Sequence, residues 1–264
     1  MQITGTLHKM KTEWATPVKY YQVFEDEFVA LNQLIGQELS INFEGYECLS
    51  CGLHKKIFRQ GYCYDCYQKI PEAGDWIFRP ELSKAHLDIE DRDLVYETKV
   101  QLQPHIVYLA LSGGLKVGVT RKTQVPTRWI DQGASAALVL LEVPNRYLAG
   151  ITEVAIKEHL SDKTNWRLML QNMDSHENLT EIRNSMKQYL PEEALIYFDE
   201  AVTDSYQITY PVMTYPTKIN SLNLEKTSSF KGRLIGIRGQ YLMFENGIVF
   251  NVRNHEGFVV SLEI

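Results

Sequence analysis

His105-Ile106-Val107-Tyr108-Leu109-Ala110-Leu111, then Ser112-Gly113-Gly114, then Leu115-Lys116-Val117-Gly118-Val119-Thr120: two apolar runs around a Gly-Gly turn read as a β-hairpin. Just beyond it, Pro126-Thr127-Arg128-Trp129-Ile130-Asp131-Gln132-Gly133 reads as a short helix, with Pro126 at its first position and Gly133 as its stop. Residues 136–143 read as a third strand and residues 147–160 as a second helix. On that helix Ile151, Val154 and Ala155 make one apolar face. Ala149, Ile156 and Leu160 make another, and Glu153 falls among them. A carboxylate buried on an apolar face must be paired or must bind a metal.

Upstream of the hairpin lie all four cysteines of the chain, as Cys48-Leu49-Ser50-Cys51 and, after eleven residues, Cys63-Tyr64-Asp65-Cys66. Two C-x-x-C turns can aim four thiolates at one point about 2.3 Å away, the geometry of tetrahedral zinc. Gly52 and Gly61 stand where each knuckle must turn sharply. Iron, a redox pair and incidental thiols are the other readings of this spacing; no cysteine elsewhere is left for a disulfide framework. Four protein ligands close the coordination sphere, so a metal here is structural.

Six segments follow from the pattern. Residues 1–47 are β-rich, with Ile3, Val18, Tyr20 and Val23 marking strands and Leu39, Ile41 and Phe43 sharing one strand face. The knuckle spans 48–66, and an acidic connector spans 71–103. The alternating strand and helix core spans 104–170. A helical extension at 171–205 repeats Leu179, Ile182, Met186 and Leu190 at helical spacing, and residues 206–264 are β-rich again. Asn246-Gly247, between two apolar runs, is a type I′ hairpin signal. The expected class is α+β: a small mixed sheet with helices, a zinc knuckle, and a β-rich part in which both chain ends join one sheet or barrel.

The 264 residues carry a net charge of −6, with 44% hydrophobic and 23% charged residues, which excludes a disordered chain and a globally basic nucleic-acid binder. The core departs from that average, with eight cations against five acids over 104–170. Local cations of this kind are what a phosphate backbone meets. Tyr62, Tyr64 and Tyr67 beside the knuckle are able either to stack on bases or to pack against the metal site. No run reaches the length of a membrane helix, and Met1-Gln2-Ile3-Thr4-Gly5 lacks the pattern of a secretion signal, so a cytoplasmic location without membrane partners is expected.

The hairpin, the arginine-bearing helix and the glutamate-bearing helix together resemble the GIY-YIG endonuclease superfamily, over about 65 residues. They are most similar to its short-hairpin branch, whose second strand reads Lys-Ile-Gly-x-Thr. Val107-Tyr108 stands for the first motif and Lys116-Val117-Gly118 for the second, with Thr120 following; Arg128 stands for the helix arginine and Glu153 for the metal-binding glutamate. Asn165 stands for an asparagine about a dozen residues after the glutamate. The whole chain also resembles an uncharacterised bacterial family known only as a domain of unknown function.

The superfamily resemblance implies a nucleic-acid-binding protein with a nuclease-like core, extending to Mg²⁺- or Mn²⁺-dependent phosphodiester cleavage. Glu153 would hold the metal, Tyr108 would position or deprotonate the water, and Lys116 and Arg128 would meet phosphate oxygens. Arg121, Arg146 and Asn165 would complete the nucleic-acid contacts. Two positions depart from the family pattern: Lys116 replaces a tyrosine, and Gln132 replaces the His or Tyr one turn after the arginine. A non-catalytic, zinc-stabilised binding or scaffolding module is the competing reading. Each residue also has an ordinary alternative. Tyr108 is then a core aromatic, Lys116 a solvent-facing lysine, and Arg128 a partner of Asp131 or Glu142. Glu153 then pairs with Lys157 across one helical turn, and Asn165 in Asp162-Lys163-Thr164-Asn165 is a turn or helix cap.

Overall fold

A computed structural model describes residues 2–160, 165–174 and 177–264. Met1 and the Asp162-Lys163-Thr164 stretch lie outside them. The chain divides into two compact units. One joins residues 1–68 to 208–264, and the other is continuous from Lys69 to Gln207. Among the described residues no helix is long and apolar enough to cross a membrane.

In the discontinuous unit the two ends of the chain share one seven-stranded sheet. Gln2–Thr6 lies at one edge and pairs antiparallel with Phe258–Glu263, with Ile3 opposite Leu262. Phe258–Glu263 also pairs with Glu38–Tyr46, which in turn pairs with Ser229–Arg238. Tyr241–Phe244, Ile248–Asn251 and the short Asn220–Ser221 complete the order, the last pair being parallel. Alternation does the sorting: Leu39 and Ile41 point inward and are buried, as are Val260 and Leu262 on the strand beside them. A separate three-stranded sheet is made by Lys11–Glu13, Lys19–Val23 and Phe28–Ala30. The Asn246-Gly247 signal marks a reversal in which both residues have positive φ, 60° and 73°. The ladder closes at Met243 opposite Val249, however, so the connection exceeds the two residues of a type I′ hairpin. Glu245–Gly247 form the connection, with Asn246 in the left-handed region, and Gly247 lies so close to the Lys218 carbonyl that a Cβ would sit 2.0 Å from it.

The continuous unit is built on the hairpin. His105–Leu111 pairs with Leu115–Arg121 on one side and with Ala136–Val143 on the other, and Tyr206–Gln207 adds a short fourth strand. Arg146–Lys157 forms the second helix, capped by the Asn145 side chain, which accepts from the Leu148 N–H at 2.9 Å. Its Ala149 and Ile156 are fully buried against Val107, Leu109, Leu111 and Val117. Val154, on the other face, is exposed. Leu179 and Met186, from the helix Leu179–Met186, reach the same core. The opposite sheet face carries Tyr108 and meets Trp129 of the short helix Thr127–Asp131.

Residues 71–103 are an ordered part of this unit rather than extended chain. They make several 3₁₀ turns and the helix Leu94–Gln101, capped by Asp93. Fully buried Glu97 accepts backbone N–H groups from Asp91, Arg92 and Asp93 at 2.8–3.1 Å, which satisfies donors that the turn before the helix would leave open.

Candidate functional site

Cross-strand register places Tyr108 directly opposite Gly118. The phenol ring lies across the glycine: a Cβ there would stand 2.6 Å from the Tyr108 hydroxyl and 2.7 Å from Cζ. A side chain at position 118 would deny the ring its place, which is the packing reason for Gly in Lys116-Val117-Gly118. The hydroxyl donates to Gln132 Oε1 at 2.7 Å. Burial is the main influence on this phenol and raises its pKa; Arg128 opposes the rise and Glu153 adds to it. Both groups therefore stand within electrostatic reach of Tyr108, although one comes from each helix.

Glu153 is buried, with its Oε2 3.5 Å from Lys157 Nζ. Both readings of this residue meet here: it lies on the buried face of the helix, and it is paired one turn on. Lys116 is 4% exposed, so it is not the solvent-facing lysine of the ordinary reading. Arg128 is half-buried, and Glu142, one of its suggested partners, pairs instead with Lys122 at 2.9 Å.

The remaining candidates diverge. Arg146 is buried and spends its donors on the carbonyls of Trp76 (3.1 Å) and Ile77 (2.7 Å), with its guanidinium over the Trp76 ring. Burial lowers its pKa to about 10; Glu153 works against that, and Arg128 and Arg121 reinforce it. Arg146 is thus near the other charges but fastened to backbone. Arg121 sits opposite His105 at the far end of the hairpin. Asn165 caps the helix Trp166–Leu170 by accepting from the Leu168 N–H, and its own carbonyl backs onto Gly113 in the hairpin turn. Tyr108 stands within electrostatic reach of Arg128 and Glu153, and Arg146 within reach of Glu153, Arg128 and Arg121, while Asn165 lies at the turn of the hairpin.

The cysteines converge in the other unit. The sulfur atoms of Cys48, Cys51, Cys63 and Cys66 all lie within 4.8 Å of one another. A zinc tetrahedron with bonds of about 2.3 Å needs sulfurs about 3.8 Å apart, so the donor set fits zinc. Gly52 and Gly61 have φ of 67° and 80°, as the two knuckle turns require. Cys48 Sγ accepts the Cys63 N–H at 3.3 Å. Burial pushes the Cys48 thiol up, but N–H donors from Cys51, Cys63 and Ser50 outweigh it and bring it down to about 6. The Cys66 thiol, despite a lowering contact from Ser50, is raised to about 12 by burial and by the neighbouring sulfurs. Thiolates crowded in this way repel one another until a cation joins them. Beside the knuckle Phe58 packs edge-on against Tyr64 and Tyr67, while Phe58 and Tyr64 remain exposed.

A model of the family described as "Protein of unknown function (DUF2797)" matches residues 36–260. The chain belongs to the DUF2797 family. No curated protein and no solved structure matches it. In this DUF2797 chain the matched span takes in the knuckle, the hairpin core and most of the shared sheet. Glu97 and Trp129 carry little signal in the sequence: a carboxylate inside an acidic segment gives no sign that it will turn inward, and Trp129 stands as one more apolar residue of a short helix.

Proposed function

We propose that this protein binds nucleic acid through a GIY-YIG-like core and cleaves the phosphodiester backbone with a divalent metal, the knuckle holding a structural zinc. The observation that carries this reading is that Arg128 and Glu153, from two helices, both stand within electrostatic reach of Tyr108 on the hairpin strand. Arg128 offers a planar, two-pronged donor to non-bridging phosphate oxygens. Lys116 adds positive charge on the same sheet face as Tyr108. Tyr108 orients the attacking water through its hydroxyl, with Gln132 holding the phenol proton in the resting state. Glu153 is the ligand for Mg²⁺ or Mn²⁺, and Lys157 balances its charge before the metal arrives. The metal would activate water and stabilise charge on the reacting phosphate.

A specific observation favours the second reading, a binding module without catalysis. The phenol is fully buried and raised in pKa, and its proton is already committed to Gln132, so it is a poor base. Incubating the full chain with plasmid, single-stranded DNA, RNA and branched DNA, with Mg²⁺ or Mn²⁺, separates the two. Cleavage that disappears in Glu153→Ala and Arg128→Ala supports the nuclease. Salt-sensitive binding without cleavage, with a shallower salt slope in Arg128→Ala, supports the module. Absence of both cleavage and binding overturns both readings.

A further inference from the structure

The strand Gln2–Thr6 ends the seven-stranded sheet of the discontinuous unit and pairs on one side only, with Phe258–Glu263. A strand in that position turns alternate N–H and C=O groups away from its neighbour, where another chain can take them. Such edges are usually blunted by lysine, proline, a bulge or brevity. Gln2-Ile3-Thr4-Gly5-Thr6 has no lysine or proline, and its register runs unbroken from Gln2 opposite Glu263 to Thr6 opposite Val259. The opposite edge, Asn220–Ser221, is two residues long and is protected by its shortness. A groove of about 1,090 Å³ is lined by every residue of Gln2–Thr6, and Gln2 and Thr4 are exposed. Groups from both faces of the sheet line it. Val259 stands opposite Thr6, whose hydroxyl donates to Glu47, on one face. On the other, Phe24 packs so closely on Gly5 that a Cβ there would stand 2.6 Å from its ring. The groove therefore passes the open edge itself.

The charges along the groove decide what fits it. Phe24 on Gly5 sets the turn Glu25-Asp26-Glu27 beside the edge, and the Phe24 N–H donates to the Glu27 carbonyl at 2.8 Å to close that turn. All three acids are exposed and line the groove. Glu47 and Glu256 line it as well, but each already accepts a hydrogen bond, from the Thr6 hydroxyl and from the Lys9 N–H. Lys9 and Lys11 are its cations, so carboxylates prevail; His8, His54 and Cys48 are the other titratable side chains along it. A hollow of about 440 Å³ adjoins the groove and shares Phe24 and the three acids of the turn. There Phe28 is exposed, edge-on to Tyr21 at 6.0 Å between ring centres. Acids in this position repel a phosphate backbone. A second copy pairing its own edge about a two-fold axis would bring the same acids to both sides. An extended polypeptide carrying cations suits both features. We propose that the edge Gln2–Thr6 accepts a basic, extended segment of a partner protein as an added strand, with Glu25, Asp26 and Glu27 selecting its charge and the hollow at Phe28 taking an apolar side chain. These residues belong to the unit that does not contain Tyr108, Arg128 and Glu153, so the inference is independent of the phosphate-site reading.

Backbone amide signals of the ¹⁵N-labelled full chain test this. The probe is a decapeptide alternating Lys and Val, acetylated and amidated at its ends. One control carries Glu in place of Lys. The other is the Lys-Val peptide N-methylated at every residue, which keeps the charge and removes every backbone donor. We expect the Lys-Val peptide to shift the Gln2–Thr6 amides saturably and to slow their exchange with solvent by about tenfold or more, and neither control to do so. Reversing the turn, with Glu25→Lys, Asp26→Lys and Glu27→Lys together, should weaken binding by about tenfold. The two control peptides act on the parent chain, so the test stands whether or not that variant folds. A Lys-Val peptide that leaves Gln2–Thr6 unmoved, binds no better than its methylated form, or binds the reversed turn equally well overturns the inference. Protection of the edge that grows with protein concentration and needs no peptide also overturns it, by assigning the edge to a second copy. Equal shifts from a mixed-sequence single-stranded oligonucleotide overturn it in favour of a phosphate backbone.

Discussion

Tyr108 rests on Gly118 because that strand position offers no side chain, and only then does its hydroxyl reach Gln132. Gly118→Ala forces a Cβ to within van der Waals overlap of the ring. The expected cost is about 1–3 kcal/mol in urea unfolding, with loss of any phosphodiester cleavage. His105 gives a pH prediction. One ring nitrogen faces the Gln103 carbonyl at 2.7 Å, while Nε2 is buried without a partner. Burial, helped by Arg146 and Arg121 and opposed by that carbonyl, lowers its pKa to about 4. The folded pKa therefore lies below the unfolded value near 6.5, and the unfolded chain binds the proton more readily. The His105 contribution to stability is complete above about pH 6.5 and is lost as pH falls toward 4, by up to about 3 kcal/mol. Denaturant titrations across that window check it: His105→Asn flattens the slope relative to the parent chain.

Among the elements, the knuckle has the donor set that a metal ion would complete. Its hairpin, Ile57–Arg59 with Tyr62–Cys63, is only a few residues long, and Cys63 accounts for one end of it. Strands this short do not hold alone in water. Removing zinc with a chelator should raise amide exchange over residues 48–66 by roughly tenfold or more while the His105–Leu111 strand keeps its protection. Hydrogen exchange with and without chelator measures this; an unchanged knuckle would show that the thiols alone suffice. The strand His105–Leu111, by contrast, is buried along its whole length between two neighbours, which is why its apolar run was so readily legible.

At the scale of the whole molecule, one unit is continuous and the other is not. Gln2–Thr6 and Glu38–Tyr46 each depend on strands encoded more than 180 residues later. A chain ending at residue 207 removes Ser229–Arg238 and Phe258–Glu263 and leaves both early strands without neighbours. We expect that truncation to lose the cooperative transition of the first unit, and a fragment spanning 69–207 to retain one of its own. Calorimetry of the two fragments against the full chain tests the expectation. A first unit that still melts cooperatively without residues 208–264 would refute it.

The local elements are legible in neighbouring residues alone. Apolar alternation and the Gly-Gly turn specify the hairpin, and C-x-x-C spacing brings each cysteine pair onto one turn. Asn145 and Asn165 specify helix starts, because capping depends on residues only two or three apart. What those elements enclose depends on contacts between distant parts of the chain. Glu97 turns inward because three backbone N–H groups of its own turn need an acceptor. Arg146 is fastened to carbonyls some seventy residues away. Arg183 is fastened to the Val139 carbonyl, 44 positions before it in the chain. Burial, charge and hydrogen bonding act through space, and a one-dimensional pattern carries no record of which distant groups the folded chain will make neighbours.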